Sequence, residues 1–278
     1  MMKNRWDEKE AAQSIASAQS DADVDLAMRV YTSRLIGQDP DLVLHGGGNT
    51  SVKTRRQLNG GEVQVIHVKG SGWDLDTIEG PGLPALLLEP LLSARKSGRM
   101  SDEEMIHFLR SNLVDRSAPN PSVETLLHAF LPAKFVDHTH ASAVLALANQ
   151  PDSASIARQL YGDRIAVVPY VMPGYELSIE GAQVFDQFPG CEGLWLDNHG
   201  LFTFGSTARQ SYDRMIAMVE LASRHLEEKG VALPQELPSR KPTADVEALR
   251  ERLGSVLQKA GTPFADGATF DFRADANI

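Results

Sequence analysis

Phe135-Val136-Asp137-His138-Thr139-His140 constrains this chain more than any other stretch. Read as a β-strand, it sends residues i and i+2 to one face, so His138 and His140 project together while Asp137 and Thr139 point the other way. Two imidazoles on one strand face form a clamp for a divalent metal and leave positions open for a third ligand and a substrate. An isolated His-x-His also occurs where two histidines simply sit in a polar strand, so its meaning depends on the rest of the chain.

Upstream, His45-Gly46-Gly47-Gly48-Asn49-Thr50-Ser51-Val52-Lys53 follows the apolar Leu42-Val43-Leu44. Three glycines followed by Asn, Thr and Ser let the backbone bend and turn its N–H groups toward one point, a geometry that binds anions. The run lacks the Gly-Lys-Ser/Thr of a P-loop and the third glycine of the dinucleotide fingerprint, and a plain hairpin or bulge is the alternative. The strand-like Val63 to Val68 ends in Lys69-Gly70-Ser71-Gly72-Trp73, a second glycine-rich turn carrying Lys and Ser. Asn120-Pro121-Ser122 announces a helix with Ser122 as its N-cap and Glu124 in its first turn, where the carboxylate also complements the helix dipole.

Helical spacing marks residues 21–37, 83–97, 101–114, 141–149, 207–229 and 243–260. Ile165 to Val168 reads as a buried strand, and 193–205 as a hairpin whose two apolar runs flank Asn198-His199-Gly200. Residues 1–20 are polar and expected to be loosely held. Residues 21–232 form one layered α/β/α domain, and 233–278, punctuated by Pro234, Pro238 and Pro242, form a linker and helical extension.

The formal charge of −10 argues against a nucleic-acid surface, which needs clustered Lys and Arg. Cys191 is the single cysteine and cannot build a disulfide framework; no leader pattern opens the chain, and no apolar run reaches membrane-spanning length. A cytoplasmic protein that engages no membrane is expected.

Taken in order, Gly47 to Ser51, Lys69 to Gly72, Pro121 to Glu124, His138 to His140 and Asn198 to Gly200 resemble the class II aldolase/adducin family over roughly residues 21–230. The opening Lys3-Asn4-Arg5-Trp6 and the Val43 to Ser51 run look like the aldolase portion of fusion proteins that join a rhamnulose-phosphate aldolase to a short-chain dehydrogenase. No dinucleotide fingerprint occurs, so a dehydrogenase half is not expected here. The resemblance implies an α/β fold, three-layer α/β/α with a central mixed, largely antiparallel sheet. It also implies that His138, His140 and His199 hold Zn²⁺ or another divalent metal and that Glu124 is the catalytic acid/base. Gly48, Asn49, Ser71, Gly72 and Ser122 match phosphate-holding positions, and Lys69 adds charge beside them. Val123 departs from the family, which often has a second serine there.

The implied activity is cleavage of a ketose 1-phosphate, rhamnulose- or fuculose-phosphate-like, to dihydroxyacetone phosphate and an aldehyde. The same fold also serves sugar-phosphate 4-epimerases, a dehydratase and non-catalytic adducin-like interaction modules. Relatives are commonly homotetramers with sites between subunits, where a C-terminal tyrosine of the neighbour assists; no tyrosine follows Tyr212 here. His128, four residues after Glu124, either orients that carboxylate or is a satisfied core histidine.

Overall fold

The structure is a computed structural model that describes residues 2–58, 60–231 and 245–259. It divides into two compact units, Met1–Ala232 and Leu233–Ile278. In the second, the described element is a helix at Val246–Lys259; the proposed proline linker and the final loop lie outside the described residues.

The first unit begins with helices α1 (Glu8–Ser14) and α2 (Asp21–Gly37), followed by strands β1 (Asn49–Leu58), β2 (Gly61–Val68) and β3 (Ala85–Leu87). Helices α3 (Leu88–Ala94), α4 (Asp102–Ser111) and α5 (Thr125–Phe130) lead to β4 (Phe135–Thr139). Then come α6 (Ser142–Ala148), α7 (Ser153–Tyr161), β5 (Ile165–Val168), α8 (Tyr175–Gln187), β6 (Gly193–Leu196), β7 (Gly200–Gly205) and α9 (Ala208–Glu228). The strands form a seven-stranded sheet in the order β3-β2-β1-β4-β7-β6-β5. All neighbours are antiparallel except β5 and β6, so the sheet is mixed and largely antiparallel.

Side-chain alternation divides the helices between the two faces. Val136, Phe202, Phe204, Leu194 and Val168 pack with Leu127 of α5 and Leu177 of α8. On the opposite face, Thr50 meets Ser33 of α2, and Asp137 and Thr139 meet Ser211 and Met215 of α9. The result is the three-layer α/β/α arrangement, with β1, β4 and β7 at its centre.

Several boundaries differ from the expected ones for local reasons. The helix expected at 83–97 is strand β3 followed by the shorter α3. Starting at Leu88 places Pro90 in the first turn, where a missing N–H breaks no helical bond; a helix begun at Pro84 would have needed that N–H to meet Leu86. Leu86 instead pairs with Ile66 of β2 and is fully buried. Helix α4 starts as expected, with a capping box between Ser101 and Glu104, but ends at Ser111 because Asn112 turns back to the Phe108 carbonyl and Leu113 bridges to Leu86. The N-terminal segment is pinned to the domain, since Arg5 N–H donates to the Tyr212 hydroxyl, Trp6 packs edge-on against Tyr31 and Arg209 pairs with Glu8. Among the described residues no helix is long and apolar enough to cross a membrane.

Beneath the histidine strand lies a buried ion pair. Arg29 of α2 reaches Asp137 at 2.5 Å, both side chains being fully buried, and its guanidinium also donates to the backbone carbonyls of Ser51 and Val136. The other carboxylate oxygen of Asp137 accepts a hydrogen bond from Ser211 of α9. Removing one member leaves the other charge buried and unpaired, which costs about 3–5 kcal/mol. Asp137→Asn should therefore lower the unfolding free energy by about 3 kcal/mol in denaturant titration, and Arg29→Met combined with Asp137→Leu should cost less than either change alone. A loss under about 1 kcal/mol for Asp137→Asn would show that the pair does not hold α2 to the sheet.

Candidate functional site

The register of three central strands assembles the site. Asn49, the first residue of β1, pairs directly with His138 of β4, and His138 and Thr139 pair with Phe202 and Leu201 of β7. Asn49 and His138 share the face covered by α5. The β6–β7 hairpin turns through Asp197, Asn198 and His199, with Asn198 in the left-handed region at φ 56°, and so delivers His199 to the end of β4. Only glycine fits after it: a Cβ at Gly200 would lie 2.5 Å from the Thr139 carbonyl oxygen, 3.0 Å from His140 Cδ2 and 3.1 Å from His138 Cε1.

His138, His140 and His199 each offer one ring nitrogen, and these three atoms lie within 4.8 Å of one another. His138 is buried, and its Nδ1 donates to the Leu201 carbonyl at 3.1 Å, which leaves the Nε2 lone pair facing inward. The Nε2 atoms of His138 and His140 are 2.9 Å apart. The expected alternation is what the structure shows: Asp137 and Thr139 face α9, and the two imidazoles share the other side. Burial holds all three imidazoles below the ordinary histidine range, with neighbouring imidazoles adding to the effect at His138. Neutral rings with converging lone pairs suit a divalent cation.

Glu124 is the N-cap residue of α5 rather than part of its first turn, and its side chain does not cap the helix. It points at the histidines, with Oε2 3.4 Å from His138 Nε2 and Oε1 3.4 Å from His199 Nε2. Oε1 is buried and has no hydrogen-bond donor, while Oε2 accepts from Asn49 Nδ2 at 2.6 Å. Burial pushes the carboxyl above its usual value, opposed by His199 and by the Asn49 hydrogen bond. An acceptor without a donor, set against three neutral imidazoles, fits a cation between them: His138, His140 and His199 would hold it, with Glu124 alongside.

The expected phosphate-holding positions gather at the same end of the sheet. Gly70 bridges to Pro121, Ser71 N–H donates to the Asn120 carbonyl at 2.7 Å and Ser122 N–H to the Lys69 carbonyl at 3.1 Å, so the second glycine turn lies beside the start of α5. Lys69 is buried and its Nζ donates to the Gly46 carbonyl at 2.9 Å, which ties in the first glycine loop. Gly48 adopts φ 64° against Val43 and the His138 carbonyl, and Gly72 adopts φ 84° in open space.

Two details depart from the expectation of backbone anion donors. The N–H groups of Gly47, Ser71 and Ser122 are already bonded to backbone carbonyls, which leaves the hydroxyls of Ser71 and Ser122 and the Lys69 ammonium among the donors these segments offer. The Asn49 side chain is committed to Glu124 and His128. Burial lowers the Lys69 pKa, and Asp74 counters it. A surface concavity of about 1560 Å³ runs along the β1–β2 hairpin and is lined by none of these residues.

His128 and Lys53 support the site from behind. His128 is fully buried on α5 beside Ser51 and Asn49. Lys53 Nζ donates to the carbonyls of His128, Leu131 and Ala133 at 2.7, 2.6 and 2.9 Å, closing the C-terminal end of α5. Burial pulls its pKa down to about 7, yet three acceptors around one nitrogen match the three N–H groups of an ammonium. Lys53 shares its strand face with Asn49 and Ser51, an i, i+2, i+4 pattern that was readable once β1 was known to begin at Asn49.

Overpacking at the hairpin provides a check on this construction. Gly200→Ala should lower stability by about 1–3 kcal/mol and weaken divalent-metal binding, as measured by thermal unfolding and by metal titration. Gly190→Ala, where a Cβ meets nothing within 4 Å, is the control. Metal binding by Gly200→Ala equal to that of the control would contradict the close approach of β7 to the histidines.

Comparison with known proteins gives the lineage. The chain is 38% identical over 230 residues to a protein of Bacillus subtilis (strain 168) described as uncharacterized oxidoreductase YuxG, covering 82% of this chain and 32% of that protein. This chain thus spans about a third of that relative's length. The N-terminal class II aldolase domain of a conserved protein from Thermoplasma acidophilum is 42% identical, with a TM-score of 0.73 and coverage of 81% of this chain and 100% of that one. A structure of L-fuculose 1-phosphate aldolase shares the fold at 19% identity and a TM-score of 0.51, covering 85% of this chain and 99% of that one. Residues 28–226 match the family described as Class II Aldolase and Adducin N-terminal domain, and the chain belongs to that family.

Proposed function

We propose that this chain is a metal-dependent aldehyde-lyase that cleaves a ketose 1-phosphate, of rhamnulose- or fuculose-phosphate type, to dihydroxyacetone phosphate and an aldehyde. The observation that carries the reading is the buried Glu124 carboxylate, 3.4 Å from both His138 and His199. A non-catalytic interaction module has no use for a buried carboxylate against three histidines, a costly arrangement in the absence of chemistry or a bound ion.

In cleavage, Glu124 takes the proton of the substrate hydroxyl, the adjoining carbon–carbon bond breaks to release the aldehyde, and the bonding electron pair stays with the ketone-bearing fragment. Returning a proton to that carbon completes dihydroxyacetone phosphate; in condensation the same carboxylate removes it. A Zn²⁺ or similar divalent ion, when bound by His138, His140 and His199, supplies positive charge where negative charge develops on the substrate oxygens. Lys69, Ser71 and Ser122, with the turns at Gly48 and Gly72, receive the phosphoryl group in this reading, and Asn49 holds the base. The reading includes a homo-oligomer, tetrameric as in the family it resembles, which sedimentation measures.

Metal analysis and a screen of ketose 1-phosphates for triose phosphate release form the direct test. Purified protein should hold about one divalent ion per chain, and His138→Ala should abolish its binding. Glu124→Gln should keep the ion and substrate affinity while kcat falls about 100-fold or more. Full metal occupancy after all three histidines are replaced by alanine, or unchanged turnover in Glu124→Gln, would overturn the assignment.

A further inference from the structure

His128 lies one helical turn beyond Glu124, and its backbone N–H bonds to the Glu124 carbonyl at 3.1 Å, yet its ring does not touch the carboxylate. It meets two alternate residues of β1 instead: Nδ1 is 2.8 Å from Ser51 Oγ, and Nε2 is 2.5 Å from Asn49 Oδ1. Asn49 stands between the imidazole and Glu124.

The direction of every bond in this row follows from one fact, that an ionised carboxylate, the form in which Glu124 serves as the base, only accepts. The Asn49 atom facing Glu124 Oε2 is therefore its amide nitrogen, and the atom facing His128 is its carbonyl oxygen. A carbonyl needs a donor, so Nε2 carries the ring proton. Nδ1 is then a lone pair, and it accepts from the Ser51 hydroxyl. Burial, together with the charges of Lys53 and Arg29, keeps the imidazole well below its ordinary pKa, in agreement with a single ring proton. An asparagine amide has nearly the same shape after a half-turn about its last bond, and the turned form would set a carbonyl against Glu124. His128 Nε2–H supplies the reason for one orientation.

We infer that Ser51 and His128 are positioning residues for the base: they polarise the row Ser51–His128–Asn49–Glu124 so that the Asn49 amide always presents N–H to Oε2 and fixes the carboxylate against the histidine cluster. The role rests on the reading of Glu124 as the base. It explains why a histidine, rather than an apolar residue, occupies a fully buried place on α5, and why the polar β1 residues Asn49 and Ser51 face inward at the centre of the sheet.

Two measurements test it. In the full chain labelled with ¹⁵N-histidine, the His128 ring, identified by its disappearance in His128→Gln, should be neutral and protonated at Nε2. A ring protonated at Nδ1, or at both nitrogens, near pH 7 would overturn the inference. The kinetic measurement compares His128→Asn, which lacks a donor at the Nε2 position, with His128→Gln, which places an amide N–H there. His128→Asn should lose roughly 10- to 100-fold in kcat, with KM and bound metal within about twofold of the parent, whereas His128→Gln should recover most of the loss. Equal impairment of the two variants, or a parallel rise in KM, would show that His128 serves packing alone. If the parent cleaves no ketose 1-phosphate, the aldolase reading falls by itself. The tautomer measurement, which needs neither substrate nor a folded variant of lower stability than His128→Gln, still decides whether the row has the stated polarity.

Discussion

The register of β4 between β1 and β7 is the constraint on which the rest of the site depends. Asn49 opposite His138, and His138 opposite Phe202, put an amide, two imidazoles and the hairpin tip on one side of the sheet. Because side chains alternate with a period of two, a slip of one residue would send His138 toward α9 and bring Asp137 into the site. Specific interactions oppose that slip on both faces. Asp137 is paired with Arg29 and Ser211 on one side, and His138 stacks on Phe202 at 4.2 Å between ring centroids on the other. The buried ion pair and the histidine cluster are thus two consequences of one register.

Electrostatics at the site follow from depth. Glu124 and His138 are buried, and the cost of charging them falls on whichever neighbours compensate. Burial lowers the pKa of the imidazoles, which favours the neutral form that a metal ligand needs; the carboxylate has one directed donor, Asn49, and one oxygen that faces His199 without a hydrogen bond. Behind them Lys53 gathers the free carbonyls at the end of α5, so the short helix that carries both Glu124 and His128 is held at its two ends, by Ser122 Oγ on the Glu124 N–H and by Lys53. Six residues of isolated helix would not persist in water; tertiary packing supplies the order.

Much of this was legible in the residues. Phe135 to His140 gave its alternation away, and Asn198-His199-Gly200 between two apolar runs marked the hairpin, because both signals are local and strictly periodic. The clearest miss is α8: residues 175–187 bury Tyr175, Leu177, Ser178, Gly181, Ala182 and Val184, a face so rich in small and polar residues that hydrophobic periodicity does not announce it. Gly181 is small for a tertiary reason, since a Cβ there would meet Leu127 Cδ1 of α5 at 2.8 Å. Strand β3 was hidden for a similar reason, its three residues joining apolar Leu-rich sequence to a helix without a break. The dual engagement of Asn49 could not be read at all, because it needs the pairing of β1 with β4 and the docking of α5, contacts that lie 75 and 79 residues apart along the chain.

Whether the three imidazoles form a metal centre is the claim on which the functional account turns. Anomalous diffraction at the zinc edge, from crystals of the full chain grown with Zn²⁺, measures it directly. A metal centre here gives one strong peak bonded to the Nε2 atoms of His138, His140 and His199 at about 2.0–2.1 Å, with a Glu124 oxygen beside it. No peak among these residues at saturating metal, or a peak held elsewhere in the chain, would contradict it.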